Sequence, residues 1–170
     1  MNNLLVLLAA AIVPTVIGFI WYNPKVFGNA WMKAAGLTEE KLKVGNMPLI
    51  YGLSFVLSFL LAFSMAPMVI HQFGVMGMLE GAMRPESATA AEATALFKSL
   101  METYGSNHRH FGHGALHGVM TALLLVLPIM GTNAMFERKS FKYVAINAGY
   151  WMLTLALMGG IVCQFFAFPM

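Results

Sequence analysis

Hydrophobic and polar positions are arranged in long blocks along this chain, so that uncharged runs are separated by short charged connections. Four runs contain no Asp, Glu, Lys or Arg: Leu4–Tyr22, Val44–Leu79, Phe111–Phe136 and Tyr143–Met170. A helix rises about 1.5 Å per residue, so about 20 apolar residues cross a hydrocarbon core about 30 Å thick. The pattern therefore predicts four transmembrane helices, at about residues 4–22, 48–70, 112–136 and 143–166.

The second run is longer than a single crossing requires. We place the crossing at about residues 48–70, with Pro67 near its end. The residues after Pro67 either continue the span beyond a bend or form a separate interfacial segment, and the pattern leaves both open. Pro14 and Pro128 also fall in spans, where each removes a backbone donor and favours a kink.

The connections carry amphipathic stripes. Val26, Phe27, Ala30, Trp31 and Ala34 recur at helical spacing in the first connection. In the second, outer connection, at about residues 71–111, the stripe is Ala93, Leu96, Phe97, Leu100, Met101 and Tyr104. Both stripes predict short helices that lie at the membrane interface.

Composition agrees with a membrane protein. Hydrophobic residues form 59% of the 170-residue chain and charged residues only 10%, against about 25% charged in soluble domains. The uncharged runs are too long for barrel strands, and Met1-Asn2-Asn3 lacks the basic residue of a signal peptide. We predict an all-α, integral membrane four-helix bundle that forms a single domain over residues 1–170.

The basic residues give the predicted bundle a direction. Seven of the ten lie in the first and third connections: Lys25, Lys33, Lys41, Lys43, Arg138, Lys139 and Lys142. Basic residues are enriched in cytoplasmic loops, so these two connections are predicted to be cytoplasmic and both termini to be outside.

Histidine forms the most informative polar pattern. His110, His113 and His117 stand at i, i+3 and i+7, which places them on one face at the outer end of the third helix. His71 lies near the outer end of the second span. Imidazoles from two helices are therefore expected to share one depth in the membrane.

These four histidines, with Glu80 or Glu102 overhead, are candidate ligands of a transition metal. The same set also suits a proton relay, or interfacial histidines that bond to water and headgroups. Met65, Met68, Met76, Met78 and Met83 add a weaker indication of copper. Cys163 lies alone in an apolar run and is interpreted as inert packing.

Small residues predict close helix packing. Gly114-x-x-x-Gly118 lies on the third span and Ala145-x-x-x-Gly149 on the fourth. Their partner is not named by the pattern, so we expect either a homo-oligomer or a subunit of a larger membrane complex. The net charge of +3 without a dense basic run argues against nucleic acid.

Two features mark the predicted inner boundary. Glu137 and Arg138 follow the third span, either as an ion pair or as a solvated pair worth about 0–1 kcal/mol. An aromatic belt is predicted from Trp21, Tyr22, Trp31, Tyr143 and Tyr150.

Several stretches resemble a known family. They are Gly18-Phe19-Ile20-Trp21-Tyr22-Asn23-Pro24, Phe27-Gly28-Asn29-Ala30-Trp31-Met32, Gly36-Leu37-Thr38-Glu39-Glu40, His117-Gly118, Asn133 with Phe136-Glu137-Arg138, and Asn147-Ala148-Gly149-Tyr150. The chain resembles the bacterial membrane protein family known as domain of unknown function 1761, although its outer connection is longer than the family pattern. The resemblance implies a small multi-pass protein of the bacterial inner membrane, and it implies no activity.

Three functions are consistent with the sequence. The first is a non-enzymatic structural or accessory membrane subunit, and the second is an ion- or ligand-binding module built on the histidines. The third is an oligomeric permease or channel. An enzyme is not expected, because the chain lacks a Ser-His-Asp set, paired catalytic carboxylates and a phosphate-binding glycine loop.

Overall fold

Helices account for the regular secondary structure of the computed structural model, which describes residues 2–168. In chain order they are α1 Asn3–Trp21, α2 Gly28–Ala35, α3 Glu39–Lys43, α4 Met47–Val69, α5 Gln72–Leu79, α6 Ala90–Tyr104, α7 Phe111–Thr121, a π-helical segment Ala122–Val126, α8 Leu127–Phe136 and α9 Phe141–Phe165. No strand occurs within residues 2–168, which confirms the predicted all-α class.

Four of these helical stretches are long and apolar enough to cross a membrane. They are α1, α4, the continuous stretch Phe111–Phe136 and α9. Each coincides with one of the four predicted spans. The predicted helices of the connections are present as well, as α2 and α6.

The spans begin where the sequence supplies a capping side chain. Asn2 accepts a hydrogen bond from the Leu4 amide, Asn46 from Leu49 and Ser140 from Tyr143. These caps satisfy amides that have no partner inside the helix.

Small residues bring α7 and α9 into direct backbone contact. A Cβ on Gly114 would collide with the carbonyl group of Gly159, and one on Gly118 with that of Leu155. Around this contact the core consists of tightly packed side chains from α1, α4 and α9, including Leu7, Met65, Leu155, Met158 and Val162.

The small residues predicted on α9 are placed differently from one another. Gly149 lies against the Trp21 ring, 2.8 Å from where its Cβ would stand, whereas Ala145 is exposed and not buried with it. Gly114, Gly118 and Gly149 thus pack within the chain, so these three glycines do not present a surface to a partner helix.

Two contacts show which connections lie at the same end of the bundle. The Asn3 side chain bonds to the backbone of Ala167 at 2.8 and 2.7 Å, so both ends of the chain meet. At the opposite end, Lys139 Nζ donates to the Ala35 carbonyl at 2.8 Å and joins the third connection to the first.

The second hydrophobic run divides after Pro67. Helix α4 continues through Pro67 and ends at Val69, where Ile70 is extended with φ −114° and ψ 100°. Helix α5 then begins at Gln72, so the remaining apolar residues form a separate segment. The sequence left open whether these residues continue the span or form a separate segment, and the structure has the separate segment.

The third span contains a π-helical turn immediately before Pro128. Proline lacks an amide hydrogen and its ring crowds the carbonyl four residues earlier. Widening the helix over Ala122–Val126 relieves that conflict without ending the span.

Candidate metal centre

All five histidines of the chain gather at the end of the bundle where the termini meet. The His113 ring lies 4.8 Å from the His71 ring and 4.5 Å from the His117 ring, measured between centroids. His108 and His110 approach the same ring, at 4.8 and 5.9 Å. In a chain with so few polar side chains, this is a strong concentration of one chemical type.

Three of these side chains direct nitrogens to one point. His71 Nε2 lies 3.1 Å from His113 Nε2 and 3.3 Å from His117 Nε2. The ligand nitrogens of all three lie within 4.8 Å of one another. Zn–N bonds of 2.0–2.1 Å at tetrahedral angles separate two ligand nitrogens by about 3.3 Å. The two spacings from His71 are those of ligands on a shared ion, and hydrogen bonds between two imidazoles have the same spacing.

Helix geometry explains how these residues meet. His113 and His117 stand one turn apart on α7 and project from the same face. His71 occupies the break between α4 and α5, where the chain leaves the helix and its side chain faces α7. The Gly114 and Gly118 contacts fix α7 against α9 and so set the depth of both α7 histidines.

His110 has a different role from the one its spacing suggests. Its Nδ1 accepts a hydrogen bond from the His113 amide at 3.2 Å, which makes His110 the cap of α7. The group of three nitrogens does not include it.

His108 belongs to the cluster although sequence spacing does not predict it. It lies in the loop between α6 and α7 with φ 61°, a backbone conformation that residues other than glycine seldom adopt. Helical periodicity does not predict this placement, because His108 lies in a loop and loop residues follow no repeat. The one indication of this placement in the sequence is the neighbouring Arg109, which stands between His108 and His110 at the edge of the third span.

Three side chains hold this loop in place. The buried Gln72 donates to the carbonyls of Gly105 and Asn107 at 2.9 and 3.1 Å. Cys163, interpreted from the sequence as inert packing, places its thiol 3.2 Å from the His108 carbonyl and 3.3 Å from that of Val69. It thus joins the end of α4 to the loop.

Arg109 is the third anchor. Its guanidinium donates to the Phe166 carbonyl at the carboxyl end of α9, where cations are favoured by the helix dipole. Burial lowers the pKa of Arg109 from its ordinary value, but arginine remains protonated in proteins. A positive charge therefore lies beside the loop.

A cleft of about 220 Å³ opens beside the cluster. It is lined by His71 and His108 on one side and by the α5 and α6 residues Val75, Leu100, Met101 and Tyr104 on the other. This cleft gives a small molecule or water access to the two imidazoles.

Other predicted members of the site lie elsewhere. Glu80 and Glu102 are both exposed, and among residues 2–168 the group of converging ligands contains only histidines. Met65 is fully buried in the helix core, whereas Met78 is 84% exposed. Met65 and Met78 therefore do not share one environment.

The inner boundary carries two charged side chains, for which the sequence left an ion pair and a solvated pair open. Glu137 and Arg138 are both exposed, and within the described part of the chain no ion pair joins their charges. Arg138 instead has φ 58° in the tight turn, and Lys139 makes the structural contact there. The predicted aromatic belt is partly an internal cluster, with the Tyr22 ring 5.2 Å from both Trp31 and Tyr150.

Residues 5–163 match the family described as Protein of unknown function (DUF1761). The chain belongs to this family. The DUF1761 match extends over the transmembrane helices and includes all five histidines. No curated protein and no solved structure matches the chain. A function for this DUF1761 protein must therefore be argued from its own side chains.

Proposed function

We propose that this membrane protein is a non-enzymatic module that binds a transition-metal ion through His71, His113 and His117. The observation that carries the proposal is the convergence of these three imidazoles, with 3.1 and 3.3 Å between their Nε2 atoms. A neutral imidazole presents a lone pair at its unprotonated nitrogen, and lone pairs at these separations repel unless a proton or a cation lies between them.

The donor set favours zinc among the common metals. Imidazole nitrogen suits Zn²⁺ and other late divalent ions, whereas Mg²⁺ and Ca²⁺ require oxygen ligands. Three histidines with a fourth position left to another ligand form a known zinc coordination. The adjoining cleft gives water access to that fourth position.

The same residues also suit a hydrogen-bonded histidine network without metal. That alternative places one proton between His71 and either of its neighbours, since each neutral ring has one N–H. It predicts no retained ion, which separates it from the proposal in a simple measurement.

We further propose that the histidine end faces outward from a bacterial inner membrane. Support comes from the lysines and arginines of the first and third connections, which lie at the opposite end of the bundle. The site then takes its ion from the extracytoplasmic side.

Metal content after purification tests the proposal. Detergent-purified protein is stripped with a chelator, loaded with Zn²⁺, passed over a desalting column and analysed for zinc. We expect about one ion per chain, and loss of most of that zinc in His113→Ala and His117→Ala.

His110→Asn is the matched control. Asparagine preserves the helix cap that His110 provides, so this variant should keep its zinc. Zinc that is missing from the unsubstituted protein, or retained by His113→Ala and His117→Ala, would overturn the proposal.

A further inference from the structure

A cavity of about 960 Å³ lies at the end of the bundle opposite the histidines. It is bounded by the second half of α1, the first half of α4 and the first half of α9. Cavities for small molecules commonly measure about 300–1,000 Å³, so this one accommodates a large ligand.

The walls of the cavity are divided by polarity. Apolar side chains cover most of the α1 and α4 sides, including Phe19, Ile50, Leu57 and Leu61, and the hydroxyl groups of Thr15, Ser54 and Ser58 lie among them. Hydroxyl and amide groups of Tyr22, Tyr143, Asn147 and Tyr150 are collected on the side near the first and third connections. A ligand with an apolar body and a polar head matches this division.

The polar side is held in a fixed arrangement. Tyr22 donates to Asn147 Oδ1 at 2.7 Å, and Asn147 Nδ2 donates to the Tyr143 carbonyl at 2.8 Å. Tyr150 donates to the Pro14 carbonyl at 2.9 Å. Burial raises the pKa of Tyr22, so its hydroxyl remains a protonated donor.

Charge sets the chemical class of the head group. Among the described residues that line the cavity there is no Asp, Glu, Lys, Arg or His. A charged head would be desolvated there without a counter-ion, which is unfavourable. Hydroxyl and amide groups instead satisfy the hydrogen bonds of an uncharged head.

The mouth of the cavity faces the surrounding lipid. Phe19, Tyr51 and Leu57 line it, and they are 61%, 42% and 64% exposed on the sides of spans α1 and α4. Exposed apolar side chains on a span contact hydrocarbon. The cavity is therefore open to a molecule from the bilayer between α1 and α4, while Asn23 and Pro24 of the first connection also line it.

We propose that this cavity binds an uncharged amphiphile from the lipid phase, with its polar head near Asn147 and its apolar body between α1 and α4. The inference is independent of the metal centre. It assigns the family-like stretches around Trp21–Pro24 and Asn147–Tyr150 to one ligand site.

Tryptophan fluorescence provides the test, because all three tryptophans lie at this end. Trp31 and Trp151 line the cavity, and Trp21 packs on Phe27 at 4.6 Å nearby. The protein is reconstituted in phosphatidylcholine nanodiscs, and a brominated monoacylglycerol is added as a short-range quencher with an uncharged head. We expect quenching that saturates at a low mole fraction.

Two serines on α4 give a matched pair of variants. Ser54 lines the cavity, so Ser54→Phe should fill it and raise the half-saturating mole fraction by about tenfold, which corresponds to about 1.4 kcal/mol of binding free energy. Ser64 is exposed on the same helix outside the cavity, and Ser64→Phe should leave the titration unchanged.

Three outcomes would overturn the proposal. Quenching that rises linearly and equally in both variants is contact with bulk lipid only. Equal competition by an unlabelled fatty acid anion contradicts the uncharged head. If quenching does not saturate and Ser54→Phe changes the yield of chemically cross-linked dimer, a second copy of the chain fills the cavity.

Discussion

Individual glycines determine how closely the helices around the metal centre approach one another. Gly114 and Gly118 have no room for a Cβ because the carbonyl groups of Gly159 and Leu155 occupy that space. The sequence predicted close packing at both positions from their spacing. It did not indicate that α9 of the same chain is the partner, because a small-residue motif describes only one of the two surfaces.

Gly114→Ala is expected to destabilise the protein. Added methyl groups in a packed interior cost about 1–3 kcal/mol, and the opposing atoms here are backbone atoms that do not rotate away. Denaturant unfolding in detergent measures the change. Gly131→Ala is the control, since open space surrounds Gly131 and alanine favours a helix by about 1 kcal/mol. A Gly114→Ala variant as stable as Gly131→Ala would contradict the packing.

Gln72 acts on the metal centre through the loop that carries His108. Gln72→Leu removes the bonds to Gly105 and Asn107, so the loop loses its attachment to α5. Residues that position metal ligands affect affinity by about 10–100-fold, and we expect zinc affinity to fall within that range. Competition with a chromogenic chelator measures it.

Gln164→Leu supplies the comparison for that experiment, because Gln164 is exposed on α9. Unchanged affinity in Gln72→Leu, or an equal fall in both variants, would show that the loop does not depend on Gln72.

His71, His113 and His117 were predicted to meet because helix periodicity fixes the α7 pair and span depth fixes His71. The positions of His108 and of the Cys163 thiol were not predicted, since both depend on tertiary contacts. The His108 loop follows no repeat, and the bond from Cys163 to the His108 carbonyl joins residues far apart in sequence. Such contacts leave no local pattern.

At the scale of elements, hydrophobicity was sufficient to predict the four spans, because each is an uninterrupted apolar run of the length that a bilayer requires. Finer breaks depend on the surroundings. Helix α4 continues through Pro67 yet ends at Val69, and the third span absorbs Pro128 by widening to a π-helix. A proline shows that a helix is perturbed, but neighbouring helices decide whether it ends.

One pair of side chains links α1 to α9. The Tyr22 hydroxyl donates to Asn147 at the end of the bundle opposite the histidines. Tyr22→Phe and Asn147→Leu each leave a half-buried polar partner without this hydrogen bond and should cost about 1 kcal/mol. The double variant should cost less than their sum, with a coupling of about 1 kcal/mol in a denaturant unfolding cycle.

Tyr51 provides the control cycle for this pair. It lines the same cavity, but within residues 2–168 it makes no hydrogen bond with Asn147. The unfolding free energies lost in Tyr51→Phe and Asn147→Leu should therefore add to within about 0.5 kcal/mol. Additive costs for Tyr22 and Asn147 would exclude a direct link between α1 and α9.

At the scale of the whole molecule, the four spans bring both termini to the histidine end and the lysine-rich connections to the other. Contacts within the chain establish this arrangement, whereas its direction in the membrane depends on the distribution of basic residues. The arrangement of the helices and its direction in the membrane therefore need different measurements.

Cysteine labelling tests the direction. In a Cys163→Ala background, Ala88→Cys places a thiol at an exposed position of the outer connection, and Glu39→Cys places one in the first connection. A membrane-impermeant maleimide should label Ala88→Cys in intact cells and Glu39→Cys only after permeabilisation. Removing Glu39 leaves the lysines that set the bias in place. The reverse labelling pattern would contradict the proposed orientation.

X-ray absorption at the zinc edge of the loaded protein identifies the ligands of the metal centre. We expect a first shell of nitrogen or oxygen at about 2.0–2.1 Å, with the outer scattering of at least three imidazoles and no sulfur. A sulfur scatterer at about 2.3 Å, or a shell of oxygen alone, would contradict a site built from His71, His113 and His117.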